Sequence, residues 1–86
     1  MKVLRHQTFK KHYKKLREGE QRRVKERLAL FLQNPFDPNL NNHPLKGRYS
    51  GCRSINIGGD LRAVYKLLAD GMAFFFTINT HSNLYQ

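Results

Sequence analysis

The sequence predicts an α+β fold in which an N-terminal helical hairpin packs on a twisted antiparallel sheet of three to four strands. Two observations carry this prediction. Apolar residues recur at helical spacing through residues 1–40. Three apolar runs then follow, separated by glycine-containing turns, and two of them alternate as strands do. Short turns between sequential strands indicate antiparallel pairing, and the helical hairpin would cover one face of that sheet.

The helical hairpin is predicted from two apolar stripes. The first stripe consists of Phe9, Tyr13 and Leu16. The second consists of Val24, Leu28, Phe31 and Leu32. We expect the first helix to end at Gly19 and the second to run from near Glu20 to the residue before Pro35, because glycine and proline terminate helices. A brief strand within residues 2–6 could precede the hairpin.

The strands are predicted at residues 51–57, 61–68 and 72–78, with tight turns at 58–60 and 69–71. Alternation gives the first two strands an apolar side, which the helices would cover, and a polar side. If the two polar sides coincide, they form one basic surface, and its members are Ser54, Asn56, Arg62 and Lys66.

Length and composition limit the class of protein. A chain of 86 residues is the size of one domain, and we assign residues 1–86 to a single domain. No run of about 18 apolar residues is present, which excludes a membrane span. The N-terminus lacks the apolar region of a secretory signal, and the lone Cys52 excludes an internal disulfide. These observations predict a cytoplasmic protein.

The net charge of +10 indicates a polyanionic partner such as RNA, DNA or an acidic protein segment. Residues 1–30 hold 11 of the 16 basic side chains, which could simply form the solvated side of the helices. The other five lie in the region of the predicted sheet, and they are Lys46, Arg48, Arg53, Arg62 and Lys66. This second group is the stronger indication of a binding surface, because strands are usually poor in lysine.

Two residues of the first strand are interpreted as structural. Arg53 falls on the apolar side of its strand, so we expect an ion pair or a side chain that snorkels to solvent. Cys52 is interpreted as a small buried residue. The histidines show no close pairing and the single thiol has no second thiol beside it, so no metal site is predicted. The sequence contains no glycine-rich phosphate loop, and we predict no cofactor.

The residues that flank the sheet suit phosphodiester chemistry. His43 and Lys46 precede the sheet, Asp60 lies in a turn, and His81 and Tyr85 follow the last strand. Cleavage of RNA without a metal needs a base for the 2′-hydroxyl, an acid for the leaving oxygen and cations for the phosphate. Histidine can take either proton role, arginine binds phosphate and an aromatic ring stacks on a base. Each residue also has a structural alternative, such as a loop histidine or a turn aspartate, and residue types alone leave both open.

Several segments together resemble the RelE/ParE toxin superfamily. They read His-Pro-Leu-Lys-Gly at 43–47, Gly-Cys-Arg at 51–53, Val-Tyr-Lys at 64–66 and Thr-His-Ser-Asn-Leu-Tyr at 80–85, together with Asp60. The YafQ-like mRNA interferases are the branch that the chain resembles most, and the resemblance covers essentially its whole length. It implies a RelE-like fold and a toxin of a type II toxin–antitoxin system. Such toxins cleave mRNA, typically in the ribosomal A site and without a metal, and a cognate antitoxin neutralises them.

The resemblance also implies site residues. His43, Asp60 and His81 match catalytic positions of YafQ-like toxins, and Tyr85 matches their terminal aromatic residue. Arg62 falls where RelE-like members keep a catalytic arginine. We therefore expect these five residues to carry catalysis. We expect RNA binding by Lys46, Arg48, Asn56 and Lys66.

Two positions depart from the YafQ-like pattern. Ser54 and Asn56 stand where those proteins usually carry an acidic residue and a histidine. Because an asparagine cannot serve as a general base near neutral pH, either His81 and Arg62 carry the chemistry, or the toxin is weak or inactive. Two alternatives to an endoribonuclease stay open: a ParE-like toxin that inhibits gyrase, and a non-catalytic RNA- or ribosome-binding module.

Overall fold

A computed structural model describes residues 2–84. Its two main helices are α1 (Gln7–Lys15) and α2 (Glu18–Gln33). The strands are β1 (Val3–Arg5), β2 (His43–Pro44), β3 (Arg53–Gly58), β4 (Leu61–Leu67) and β5 (Ala73–Thr80). A short helix, α3 (His81–Leu84), follows β5, and single 3-10 turns occur at Pro38–Leu40 and Gly47–Tyr49.

The strands form one sheet in the order β1-β5-β4-β3-β2. Strands β3, β4 and β5 are an antiparallel meander, as predicted, and the α+β class is confirmed. The sheet has five strands, more than the three to four expected. The extra strand is β2, which is only two residues long and therefore too short to show alternation. The optional first strand is present as β1, and it pairs parallel to β5 rather than antiparallel.

The helix boundaries depend on local capping. The side chain of His6 accepts the Thr8 amide at 3.1 Å and so caps α1. Our prediction that Gly19 ends this helix is wrong, because α1 stops at Lys15 and Gly19 lies in the first turn of α2. The Glu20 carboxylate accepts an amide from the residue before α2, at 3.0 Å, which starts this helix earlier than expected. No helix within residues 2–84 is long and apolar enough to cross a membrane.

The main core lies between the helical hairpin and one face of the sheet. The Phe31 ring meets Tyr65 at 4.9 Å and Phe75 at 5.2 Å between centroids, both edge to face. The other fully or nearly buried members include Phe9, Val24, Leu28, Leu40, Ile55, Ile57 and Ala63. The predicted apolar sides of β3 and β4 therefore face the helices. Leu32 was wrongly placed in this core: it is 48% exposed, because it lies about 100° around α2 from Phe31.

The opposite side of β3, β4 and β5, which we call the outer face, has a second and smaller apolar cluster. Leu45, Val64 and Leu84 are its buried members. Three partly buried residues pack against them, namely Tyr49, Cys52 and Phe76. The segment after β2 and the short α3 thus cover the middle of the outer face, so that only part of it is open to a ligand.

The core assignment predicts different costs for two identical substitutions on α2. Leu28→Ala should lower the free energy of unfolding by about 2–5 kcal/mol, because Leu28 is 6% exposed and its removal leaves a cavity. Leu32→Ala is the matched control and should cost under about 0.5 kcal/mol, because this side chain is largely in solvent. Urea denaturation measures both. Equal losses for the two variants would contradict the assignment.

Candidate active site

Cross-strand pairing sets the positions of the polar residues on the outer face. Asn56 of β3 lies opposite Arg62 of β4, and Arg62 lies opposite Asn79 of β5. One step along the strands, Ser54 lies opposite Val64. Because side chains two residues apart share a face, the polar sides of β3 and β4 coincide, which the alternation within each strand had left open.

Three of the predicted catalytic residues meet at the turn between β3 and β4. The Arg62 guanidinium donates to the carbonyl oxygens of Gly59 at 3.0 Å and Leu61 at 2.9 Å, which holds it against the turn. The backbone amide of His81 donates to the carbonyl oxygen of Asp60 at 2.8 Å and brings the start of α3 to the same place. We call Asp60, Arg62 and His81 the turn cluster. The side chains of Asp60 and His81 are exposed, so a ligand can reach them.

His43 approaches the outer face from β2. It pairs with Ser54, and its Nε2 lies 3.4 Å from the Ser54 hydroxyl. Its Nδ1 lies 2.7 Å from the carbonyl oxygen of Asn41. Since a carbonyl oxygen can only accept, Nδ1 carries the hydrogen, and Nε2 is the acceptor atom of the neutral ring. Strand spacings put the backbones of His43 and Arg62 roughly 12 Å apart.

The other predicted site residues are distributed more widely. Lys46 and Arg48 lie in the segment that crosses the outer face after β2, and both are exposed. Lys66 is four residues along β4 from Arg62, a separation of about 13 Å, so it does not belong to the turn cluster. Tyr85 lies outside the described residues.

Asn56 contributes an unusual feature beside Arg62. Its Oδ1 atom is buried and has no hydrogen-bond partner among residues 2–84. A buried acceptor without a donor costs free energy, so the site retains an unused hydrogen-bonding capacity here. An amide oxygen can accept a hydrogen bond but cannot take a proton near neutral pH. Asn56 therefore supplies no general base to the site.

Arg53 has the structural role that its position predicted, with hydrogen bonds in place of an ion pair. Its Nε donates to Oδ1 of Asn42 at 2.7 Å, and its guanidinium lies 5.3 Å from the ring centroid of Phe36. The amide of Asn42 donates in turn to the Tyr65 hydroxyl at 2.7 Å and to the Pro35 carbonyl oxygen at 2.9 Å. These contacts tie the loop after α2 to the sheet and fix the residue that precedes His43.

Sequence reasoning missed three residues that the fold brings near the site. Asn79 completes the row with Asn56 and Arg62, but the predicted third strand ended at residue 78 and did not include it. Arg23 of α2 lies against Gly58, where an added Cβ would come within 2.9 Å of its Nη1. No pattern could single out Arg23 from the many cations of the helices. Tyr49 belongs to a 3-10 turn that sequence periodicity does not predict.

The cations of the outer face are not neutralised by acidic side chains. Between residues 2 and 84 the structure has one ion pair, Glu18–Arg22 at 3.9 Å, and it lies within α2. The same part of the chain contains no group of three or more histidine, cysteine, aspartate or glutamate residues that could hold a metal ion. The outer face therefore keeps a positive potential that attracts anions.

Comparison with known proteins agrees with this architecture. E. coli YafQ superimposes with a TM-score of 0.78 at 23% identity, over 98% of this chain and 97% of that chain. A YoeB/ParE toxin from Agrobacterium tumefaciens gives 0.76 at 19% identity, over 94% and 99%. YafQ within the E. coli DinJ–YafQ toxin–antitoxin complex gives 0.74 at 23% identity, over 98% and 96%. None of the curated proteins searched matched the sequence.

A helical hairpin packed on a sheet of this topology is the fold shared by YafQ, the YoeB/ParE toxin and an archaeal RelE. The profile of the family described as YafQ, a bacterial toxin of type II toxin–antitoxin systems, matches residues 1–86. The chain therefore belongs to the YafQ family of toxins, and the resemblance seen in its sequence is confirmed.

The contacts of Arg53 predict a stability difference between two arginines. Arg53→Ala should lower the free energy of unfolding by about 1–3 kcal/mol, because it leaves Oδ1 of the partly buried Asn42 without its donor. Arg48→Ala is the control and should cost under about 0.5 kcal/mol, because within residues 2–84 the Arg48 side chain is exposed and contacts the neighbouring Tyr49. Thermal or urea denaturation of the two variants measures this difference in the free energy of unfolding. An Arg53→Ala variant as stable as Arg48→Ala would contradict the structural role.

The environment of Cys52 predicts that its thiol reacts slowly with alkylating reagents. Burial raises the pKa of Cys52 above its ordinary value, and the nearby Lys66 ammonium lowers the pKa by a smaller amount. Because a higher pKa leaves less thiolate at a given pH, the native protein should react with iodoacetamide at pH 8 more slowly than the urea-unfolded chain. Lys66→Ala should raise the pKa further and slow the reaction again, whereas Lys46→Ala should leave the rate unchanged. A faster reaction in Lys66→Ala would refute this account.

Proposed function

We propose that this toxin is an endoribonuclease that cleaves mRNA in the A site of the ribosome, by attack of a 2′-hydroxyl on the adjacent phosphorus. The observation that supports it best is the arrangement of two histidines around a cation. His43 approaches from β2 and His81 from the end of β5, with the Asn56–Arg62 pair between them. In-line attack needs its base and its acid on opposite sides of the phosphorus, and histidines that approach the Asn56–Arg62 pair from different strands would meet this need.

The proposed chemistry assigns one role to each group. His43 is the base, because its Nδ1–H bond to the Asn41 carbonyl leaves Nε2 as the acceptor atom of the neutral ring. It takes the 2′-hydroxyl proton as the 2′-oxygen–phosphorus bond forms. His81, next to Asp60, protonates the 5′-oxygen as the bond from phosphorus to that oxygen breaks. The products are a 2′,3′-cyclic phosphate and a 5′-hydroxyl.

Arg62 is proposed to stabilise the charge on the phosphate during this step. Its guanidinium is held by two carbonyl oxygens of the turn, so it is pre-oriented before the substrate binds. Lys46, Arg48 and Lys66 would bind flanking phosphates, and Tyr85 would stack on a base as the family resemblance implies.

We also propose an antitoxin as the partner of this chain. A related E. coli toxin was solved as the DinJ–YafQ toxin–antitoxin complex. The net charge of +10 suits an acidic segment that folds on binding. In this proposal the chain acts as one domain, residues 1–86, in the cytoplasm, where translating ribosomes and the antitoxin are found.

The proposal predicts a strong loss of cleavage from two substitutions. His81→Ala and Arg62→Ala should each slow cleavage of translated mRNA by about 10²–10⁴-fold, because each removes a group that acts in the transition state. Primer extension on mRNA from a reconstituted translation reaction measures the cut ends. Lys10→Ala, which removes a cation on α1, is the control and should cleave like the wild type. Full activity in both site variants would refute the proposed site.

Two aspartates in the two hairpin turns provide a second matched pair. Asp60→Asn should lower cleavage by about 10-fold or more, because it removes a charge beside the proposed acid. Asp70→Asn should leave cleavage unchanged, because asparagine can also accept the hydrogen bond that the Met72 amide donates to Asp70. The same primer-extension assay compares them. Equal activity of the two variants would remove Asp60 from the site.

The buried amide of Asn56 keeps a second candidate function in view, namely an RNA- or ribosome-binding module without catalysis. Ribosome binding with no cut ends on any translated message would favour it. The Asn56→His variant separates a weak enzyme from such a module: restoring the residue usual in the family should increase cleavage in a weak enzyme and change nothing in a binding module.

A further inference from the structure

The outer face carries aromatic residues that the proposed chemistry does not use, beside two of the cations proposed to bind flanking phosphates. Tyr49, Phe74 and Phe76 are partly buried aromatic residues, and Arg48 and Lys66 are exposed cations beside them. On β4 this set lies about 13 Å from the turn cluster, the length of four strand residues. Aromatic rings among unpaired cations are the composition of surfaces that bind single-stranded nucleic acid.

The Tyr49 ring is held in a defined orientation. It stacks on the Phe76 ring with centroids 6.2 Å apart and an interplanar angle of 26°. Phe76 in turn is fixed by an irregularity of β5: Val64 pairs with Thr77 and Tyr65 with Phe75, so that Phe76 has no partner of its own on β4. The bulge and the stacked ring orient Tyr49 in advance, so a base would bind without first ordering the side chain.

The cations next to Tyr49 complete the surface. The Arg48 guanidinium carbon lies 5.0 Å from the Tyr49 ring centroid, and its Nη2 lies 3.4 Å from the Tyr49 hydroxyl oxygen. Because Arg48 is exposed, its side chain can move from the ring to a phosphate when a base takes its place. Lys66 lies opposite Phe74 on the neighbouring strand and supplies a second positive charge.

We infer that Tyr49 is a stacking site for one unpaired nucleobase of an RNA strand, with Arg48 and Lys66 binding the phosphates on either side of that nucleotide. The inference rests on the proposed function, because the RNA is the substrate proposed there. A strand that crosses the Asn56–Arg62 pair would reach Tyr49 with a nucleotide that flanks the cleaved bond. The site would select an unpaired base by its π-face and tolerate any base identity.

The test uses the full chain and single-stranded oligoribonucleotides that carry 2-aminopurine at one position each. The position that stacks on Tyr49 should lose fluorescence on binding, because stacking on an aromatic ring quenches this base. Tyr49→Leu, which keeps an apolar side chain on Phe76, should weaken binding by about 10-fold and abolish the quenching at that position, but not at a position that stacks on Tyr85. Tyr49→Phe keeps the ring and should bind within about twofold of the wild type. Thermal denaturation of both variants controls for folding.

The outcomes separate this inference from the proposed function. No quenching at any position, or Tyr49→Leu binding as tightly as Tyr49→Phe, would overturn the stacking site whatever the cleavage assay shows. Cleavage of translated mRNA is scored in parallel with the same proteins. A wild-type protein that shows quenching which Tyr49→Leu abolishes, but that leaves every translated message intact, keeps the stacking site and overturns the endoribonuclease.

Discussion

The Tyr65 hydroxyl is the polar group on which the connection between core and outer face depends. Its ring packs with Phe31 and Phe75 in the main core, where an unpaired hydroxyl would be costly. Asn42 satisfies it at 2.7 Å, and the same amide group accepts from Arg53. The need to pair one buried hydroxyl thus draws the loop after α2 onto the sheet. His43 is the next residue, so its approach to the outer face follows from a requirement of the core.

Side-chain alternation made most of the sheet predictable, because it records which face is buried. Alternation alone assigned the two arginines to different faces of the sheet. Arg53 lies on the same side of β3 as its isoleucines, whereas Arg62 lies on the side of β4 opposite to its alanine. Prediction failed where local interactions decided the outcome. Gly19 did not end α1, because an extended turn and the Glu20 cap begin α2 before it. The two-residue β2 is a strand only because it pairs with β3, and it is too short to show a periodic pattern in the sequence.

The candidate site was predictable as a set of residues but not as an arrangement. The sequence and its family resemblance named His43, Asp60, Arg62 and His81. Their grouping depends on long-range contacts, such as the amide bond from His81 to Asp60, which no local pattern contains. Asn79, Arg23 and Tyr49 were missed for the same reason. The buried Oδ1 of Asn56 is also a property of packing, and only its residue type could be read from the sequence.

The parallel pairing of β1 with β5 has a consequence for biosynthesis. Val3 pairs with Ala73 and Arg5 with Phe75. Strand β1 can therefore pair with β5 only after the residues that separate the partners have been synthesised. Contacts between such distant residues are slow to form. Until β5 has left the ribosomal tunnel, the sheet lacks the strand that supports both Phe76 and His81. The site therefore assembles only after β5 has been made, later than the helices and β1 that precede it in the chain.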